Sequence, residues 1–358
     1  MLKICFNSLT TSAQKVSAAL ATTAALLLSS SFEVQAQSDT PEADVVIPYI
    51  TLRDRTGSSD PDDFYGQDRS DMKSGHCFVD VRGLDILSTA AEISPIRIPE
   101  EILRVEAIEE APRDELWKEL DETRQERKPA LYVHGFFISF EKGCRRAVSF
   151  TQNTGMDGAF MWFSWPSDGN LLNYARDEVD MYWSVPDLAE TILEMQEVFG
   201  EEQYNLVGHS LGTRGLFLSL YHLSESNPKV EVDNVILMAP DIDFEIFRKL
   251  LPRVVDLANR ITIYTGPSDR PLALSRQLHG YERLGESGND VALLQGVEII
   301  ETDDLPNSSP SGHLYHLYSD EVGTDLNLLL TQSLGAADRP NLKQISENRW
   351  SLVPFDDD

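Results

Sequence analysis

The sequence contains few cysteines and lacks the cysteine patterns of metal-binding proteins. Among its 358 residues, only Cys5, Cys77 and Cys144 are cysteines. They form no CxxC pair and no cluster with histidine, which argues against a structural zinc site. Cys5 lies in a segment that we expect to be removed. The other two either form a disulfide or remain as buried thiols, and we expect the disulfide, which an oxidising compartment permits.

Positive charge is also scarce. The chain has 30 lysines and arginines against 59 aspartates and glutamates, which gives a formal net charge of −29 at pH 7. A field of this sign repels nucleic acid and anionic lipid surfaces, and it favours solubility. The composition therefore argues against nucleic acid as a partner, but it carries no information about the fold.

Long hydrophobic runs are missing apart from "VSAALATTAALLL", residues 16–28. At about 1.5 Å per residue this helix would span roughly 20 Å, short of the ~30 Å hydrocarbon core of a bilayer. The later "VQAQ" has small residues where a signal peptidase requires them. We therefore predict a signal peptide over residues 1–36, cleavage before Gln37, and a periplasmic or secreted protein without a membrane anchor; an N-terminal anchor is the alternative.

From Pro129 onward, short apolar runs alternate with longer amphipathic segments. "ALYVHG" is followed by the helical "EKGCRRAVSFTQ", "GAFMWFSWP" by a long helical segment, and "YNLVGH" by "LGTRGLFLSLYHLSE". This alternation predicts an α/β fold, a mostly parallel sheet with helices on both faces. We assign residues 129–336 to this domain, 37–128 to an N-terminal extension packed on or preceding it, and 337–358 to a C-terminal tail.

The stretch "NLVGHSLGTRG" places Ser210 between a predicted strand and a predicted helix. A G-x-S-x-G match alone is weak, because it arises by chance in many proteins. Here it has the strand–turn–helix context that a nucleophile elbow requires. Ligands of such sheets bind beyond the carboxyl ends of the strands, where Ser210 falls. We therefore interpret Ser210 as a nucleophile.

A nucleophilic serine needs a base, and the base needs an orienting acid. Asp269 follows the strand "RITIYTG", and His313 follows the last strand of the predicted domain, in the chain order that this fold requires. We predict that Asp269 is the acid and His313 the base. The alternative acids are Asp241, which we expect to cap the next helix, and Asp243. The alternative base is His316; the remaining histidines, including His209, are interpreted as structural.

The oxyanion that forms during attack on a carbonyl needs hydrogen-bond donors. We expect one from the backbone N–H of Leu211, directly after the nucleophile. The second should come from "HGFF", where the chain turns after the strand "ALYV". Phe136 is the predicted donor and Phe137 the alternative, while His134 is expected to brace this loop.

The sequence from about Leu131 to Leu330 resembles the alpha/beta-hydrolase superfamily, specifically an uncharacterised bacterial esterase/lipase-like branch. The resemblance is carried by "YVHGF", "FSWPSDG" with Tyr174 and Asp177 following, "GHSLGTR", "APDID", "YTGPSDRPLALSRQLHGYERLG" and "GHLY". Near the N-terminus, "VIPYITLRDR" and "YGQDRS" are similar to the leader region of that branch. The resemblance implies the serine, histidine and aspartate roles given above, but no particular substrate.

Together these patterns predict an exported serine hydrolase that cleaves a small-molecule or lipid-like carboxylic ester through an acyl-enzyme intermediate. No metal or organic cofactor is implied. An amidase or peptidase is the nearest alternative. A non-catalytic envelope binding protein on a hydrolase scaffold is the alternative from another class.

Overall fold

A computed structural model of the protein describes residues 43–81, 102–168, 173–267, 269–305 and 311–354. The predicted signal peptide and its cleavage site before Gln37 lie outside these ranges. Within them, no helix is both long enough and apolar enough to cross a membrane.

The described strands join in one sheet of the order β10-β11-β9-β8-β7-β6-β4-β5-β1-β2-β3. From β11 to β1 every neighbouring pair is parallel, whereas β2, β3 and β10 are antiparallel to their neighbours. The mostly parallel sheet predicted from the sequence is thereby confirmed. The strand bounds are β1 Val45–Arg55, β2 Tyr65–Asp80, β3 Arg104–Glu110, β4 Ala130–Val133, β5 Phe160–Ser164, β6 Asn205–His209, β7 Val232–Met238, β8 Ala258–Thr265, β9 Glu298–Glu301, β10 Leu342–Ser346 and β11 Arg349–Leu352.

Helices cover both faces of this sheet. In β4, Leu131 and Val133 contribute to one buried cluster, while the alternating Ala130 and Tyr132 contribute to the other. Strands buried on both faces are apolar at every position, which is why they read as continuous apolar runs. The helix bounds are α1 Arg113–Thr123, α2 Phe140–Thr154, α3 Tyr174–Phe199, α4 Leu211–Ser226, α5 Phe244–Val254, α6 Arg270–His279, α7 Tyr315–Tyr318 and α8 Asp320–Gln332.

The N-terminal extension is part of the same sheet. Strand β1 pairs in parallel with β5, and β2 returns antiparallel beside β1. A disulfide between Cys77 of β2 and Cys144 of α2, with Cα atoms 6.0 Å apart, links this extension to a helix of the domain. The expected disulfide is thereby confirmed.

The segment expected to be a C-terminal tail is instead largely structured. Strands β10 and β11 form an antiparallel pair, and β11 lies parallel to β9. Trp350 and Leu352 are buried, whereas most of β10 is exposed. The sequence signal was weak because β10 is a polar edge strand, and β11 is too short to show a clear periodicity.

Two helices that begin at the carboxyl edge of the sheet are capped by aspartates. The Asp243 side chain accepts a hydrogen bond from the N–H of Ile246 at the start of α5. The Asp269 side chain accepts from the N–H of Leu272, 2.9 Å away, at the start of α6. The expectation that Asp241 caps the helix after β7 was therefore wrong.

Candidate active site

Ser210 occupies a sharp corner between β6, which ends at His209, and α4, which begins at Leu211. Its φ of 53° and ψ of −123° lie in a region that residues other than glycine rarely adopt. Such a conformation costs about 1–3 kcal/mol and persists where the surrounding structure enforces it. Here the N–H of Ser210 donates to the carbonyl oxygen of Met238 in the neighbouring strand β7, at 3.0 Å.

Two glycines allow this corner to form. A Cβ atom on Gly212 would lie 2.3 Å from the carbonyl oxygen of His134, so α4 could not approach the end of β4. A Cβ on Gly135 would lie 2.8 Å from the Cβ of Ser210. The glycine of "YVHGF" and that of "GHSLG" thus bring the two loops together, which is what a shared oxyanion site needs.

The structure brings Asp269 and His313 into contact. The Nδ1 atom of His313 lies 2.6 Å from Oδ2 of Asp269, and both side chains are almost fully buried. The other carboxylate oxygen of Asp269 accepts from the start of α6, so the carboxylate has a fixed orientation. The N–H of Arg270 also donates to the carbonyl oxygen of Ser311, at 3.1 Å, which joins the two loops through their backbones.

His209 connects this pair to the serine corner. Its Nε2 atom lies 3.0 Å from the carbonyl oxygen of His313, and the two rings are 4.5 Å apart. His209 directly precedes Ser210, so this contact ties the loop that carries His313 to the residue before the serine. His209 was expected to be structural, and its position in the motif alone could not reveal this contact.

The side chains of Asp241 and Asp243, the alternative acids, bind groups other than His313. The Oδ1 atom of Asp241 accepts from Ser275 Oγ at 2.6 Å and from Arg283 Nε at 2.7 Å, with Arg214 Nη2 at 3.5 Å. Although burial raises the pKa of Asp241, Arg214 and Arg283 more than offset it, and the pKa lies below the ordinary value. This carboxylate therefore neutralises two buried cations.

His316, the alternative base, lies behind the site. It is fully buried, its ring lies 4.1 Å from that of His209, and its Nε2 is 3.3 Å from the hydroxyl of Tyr132. Burial lowers its pKa well below the ordinary value, with Arg146 and His313 adding to the effect. A buried neutral imidazole packed on aromatic rings is part of the core.

The backbone N–H groups of the loop after β4 differ in what they contact. The N–H of Phe137 interacts with the Asp177 carboxylate, and the N–H of Ile138 donates to Ser167 Oγ at 3.2 Å. Phe136, half-buried, has no hydrogen bond from its N–H to any other described residue. Its ring packs edge-on against Tyr174, 5.1 Å away. Of the two candidates, Phe136 is the one whose N–H is available to a substrate oxygen.

His134 has the bracing contacts expected of it. It is fully buried, stacks on Trp165 at 5.0 Å, and its Nδ1 lies 2.8 Å from the carbonyl oxygen of Gly135. Burial is the main reason that its pKa is well below the ordinary value. A neutral ring with these contacts stiffens the loop that carries Phe136. Across the described ranges, no group of three or more His, Cys, Asp or Glu residues is arranged to hold a metal ion.

The parallel sheet, its helices on both faces and the strand–turn–helix corner at Ser210 place the protein in the alpha/beta-hydrolase class. The family described as "Alpha/beta hydrolase of unknown function (DUF900)" matches residues 108–332, which is more than half of the chain. The chain belongs to this family, and the superfamily predicted from the sequence is confirmed. Strands β1, β2, β10 and β11 lie outside the match.

Solved structures with distant similarity include two esterases. An esterase from Pyrobaculum calidifontis is 13% identical over 58% of this chain and 78% of its own, with a TM-score of 0.33. A thermostable esterase from Pseudomonas putida is 11% identical over 74% of this chain and 81% of its own, with a TM-score of 0.33. A protein from Listeria innocua is 10% identical over 63% of this chain and 98% of its own, with a TM-score of 0.39. No curated protein matches the chain.

Proposed function

We propose that this protein is an exported serine hydrolase that cleaves carboxylic esters through an acyl-enzyme intermediate. The observation that carries the proposal is the 2.6 Å contact between His313 Nδ1 and Asp269 Oδ2, in a loop that His209 ties to the strained corner at Ser210. A serine with a histidine beside it, itself oriented by a carboxylate, is the arrangement that activates a hydroxyl for acyl transfer.

In the first half of the reaction, Ser210 Oγ bonds to the carbonyl carbon of the ester and its proton passes to His313 Nε2. Asp269 accepts a hydrogen bond from Nδ1 and stabilises the imidazolium that results. The carbonyl oxygen becomes an oxyanion, which accepts hydrogen bonds from the N–H groups of Phe136 and Leu211. The bond between the carbonyl carbon and the alcohol oxygen then breaks, and the alcohol leaves with the proton from His313.

The second half repeats these steps with water. His313 takes a proton from a water molecule, whose oxygen attacks the acyl carbon on Ser210. The second oxyanion collapses, the carboxylic acid leaves, and the proton returns to Ser210. These steps use no group beyond the substrate, water and the chain's own residues.

Export is supported by two independent features. Residues 1–36 have the pattern of a signal peptide. The disulfide between Cys77 and Cys144 fits an oxidising compartment such as the periplasm or the cell exterior.

The net charge of −29 favours a neutral or lipid-like ester over substrates on anionic surfaces.

Labelling with a fluorophosphonate tests the proposal, because the reagent phosphonylates a serine only when the serine is activated. The wild-type protein should be labelled, and Ser210→Ala should not. Ser219→Ala is the matched control, since Ser219 is a fully buried serine of α4, the helix that follows Ser210, and its hydroxyl donates to the carbonyl oxygens of Val185 and Gly215. An unlabelled wild type would favour a binding protein on this scaffold. Turnover of an amide faster than its matched ester would make the enzyme an amidase.

A further inference from the structure

The loop of residues 135–138, which carries the proposed oxyanion donor Phe136, has an unusual backbone. Phe137 has a φ of 65°, in the left-handed region that favours glycine. A bulky residue stays in this region only when its surroundings hold it there. Arg53, Ser167 and Asp177 surround the loop, and the side chains of all three are fully buried.

Asp177 and Ser167 hold the loop from the side of α3. The N–H of Ile138 donates to Ser167 Oγ, and the Ser167 hydroxyl donates to Asp177 Oδ2. The other carboxylate oxygen accepts from the N–H of Asp168 at 2.8 Å. The N–H of Phe137 also faces this carboxylate: burial raises the pKa of Asp177, and the hydrogen bonds from Ser167, Asp168 and Phe137 oppose that rise. Two consecutive N–H groups of the loop are thus directed towards Asp177, one of them through Ser167.

Arg53, in β1, holds the same loop through the carbonyl group of Ile138 and also binds the segment that carries Ser167. Its Nη2 donates to the carbonyl oxygen of Ile138 at 2.7 Å, its Nη1 to that of Ser167 at 2.8 Å, and its Nε to Ser164 Oγ at 2.9 Å. Burial lowers the pKa of Arg53 to about 10, so the guanidinium stays charged at neutral pH. Arg53 lies outside the residues that match the family.

From this arrangement we infer that Asp177 is a positioning residue: with Ser167 and Arg53 it fixes the 135–138 loop so that the Phe136 N–H points at the developing oxyanion. The inference rests on the proposed function. Within the described ranges, Asp177 has no hydrogen bond to Ser210, Asp269 or His313. Its effect must therefore pass through the loop and act on the transition state rather than on the nucleophile.

The variant Asp177→Asn removes a carboxylate that several donors share and places an amide N–H against at least one of them. A trifluoromethyl ketone reports the oxyanion site, because Ser210 adds to its carbonyl and leaves an oxyanion. The matching methyl ketone binds without that addition and reports the ground state. We expect Asp177→Asn to weaken the binding of the trifluoromethyl ketone about 10- to 100-fold, because a misplaced donor stabilises the oxyanion less well. The affinity for the methyl ketone should fall by less than about threefold.

Asp180→Asn is the matched control. Asp180 lies one turn further along α3, is also buried, and pairs with Arg69 and Arg176 rather than with the loop. It should change the affinity ratio of the two ketones by less than about twofold, whatever its effect on stability. An equal fall in the ratio for Asp180→Asn and Asp177→Asn would show a general loss of structure and overturn the inference.

Ser167→Ala covers the case in which Asp177→Asn does not fold. This variant removes the hydroxyl that links the Ile138 N–H to Asp177 and keeps the side chains of Asp177 and Arg53. It should therefore lower the affinity ratio of the two ketones by a smaller factor than Asp177→Asn does. Inhibition constants do not depend on the fraction of molecules that is folded. A wild type that binds both ketones equally contradicts the serine-hydrolase proposal itself. The other contrary outcome is a wild type that binds the trifluoromethyl ketone more tightly than the methyl ketone, with the same affinity ratio in Ser167→Ala and in any folded Asp177→Asn. This outcome overturns the positioning role of Asp177 alone.

Discussion

The Nε2 atom of His209 lies 3.0 Å from the carbonyl oxygen of His313, so the residue before the proposed nucleophile holds the backbone of the proposed base. Burial, together with the nearby His316 and His313, lowers the pKa of His209 well below the ordinary value. The ring is therefore neutral, and because a carbonyl oxygen can only accept, Nε2 carries the proton. This buried hydrogen bond is therefore one of the contacts that fix the proposed base relative to the serine corner.

Removing this bond should slow the enzyme. His209→Leu is expected to lower kcat roughly 5- to 10-fold, the worth of one hydrogen bond of about 1 kcal/mol. His209→Gln, whose amide can still donate, should lose less. The check is kcat and KM on one activated ester, with Tm as the folding control. Equal losses in the two variants would mean that ring packing, and not the hydrogen bond, positions His313.

Asp269→Asn should leave the fold intact and reduce kcat/KM by about 10⁴-fold, because an amide can trap the wrong imidazole tautomer and cannot stabilise the imidazolium. Combined with Ser210→Ala it should be hardly worse than Ser210→Ala alone, since such groups act as a unit. Asp243→Asn is the control: it weakens the cap of α5, which lowers stability by about 1 kcal/mol or less, with little effect on rate. If Asp243→Asn loses most of its activity and Asp269→Asn loses none, the acid that orients His313 follows β7 and not β8.

Three buried histidines should make the protein sensitive to acid. The pKa values of His134, His209 and His316 all lie well below 6.5, with burial as the largest cause in each case. In the unfolded chain these rings bind protons near pH 6.5, whereas in the folded protein they do not. Stability should therefore be full above pH 6.5 and fall below it, by up to about 1.4 kcal/mol per pH unit for each ring.

Urea unfolding between pH 7.5 and pH 5.5 measures this slope. His316→Gln should make it shallower, while the same change at the exposed His222 should leave it unchanged. A wild-type stability that does not vary over this range would show that these rings titrate normally when folded.

The disulfide should be present in the exported protein. Titration of the unfolded, unreduced protein with a thiol reagent should find no free thiol from Cys77 or Cys144. Cys77→Ser should lower the free energy of unfolding by about 4 kcal/mol, on the chain-entropy relation for the 67-residue separation of the two cysteines. Two reactive thiols in the untreated protein would contradict this prediction.

The mature chain should begin at Gln37. Intact-mass and N-terminal peptide measurements on protein recovered from the periplasm or medium should find that residue first. Replacing Ala36 with a bulky residue should block processing, since the peptidase requires a small side chain there. Recovery of an exported form that still begins at Met1 would show that the segment is retained.

The sequence by itself determined the class of fold and the order of the candidate site residues along the chain. Apolar strands buried on both faces, alternating with amphipathic helices, are recorded in the local pattern of side chains. The corner at Ser210 could be found in the same way, because Gly208 and Gly212 stand within two residues of it in the chain. A strand followed by a sharp turn and a helix has only local requirements.

Tertiary structure alone decided which acid meets His313 and what holds the loop that carries Phe136. Asp241 and Asp269 occupy equivalent places after neighbouring strands, and only the packed structure commits Asp241 to Arg214 and Arg283. The bonds from Arg53 to Ile138 and from Ser167 to Asp177 join separate elements, the first pair 85 residues apart. Such contacts depend on which distant segments the folded sheet brings together, and that pairing leaves no periodic trace in the chain.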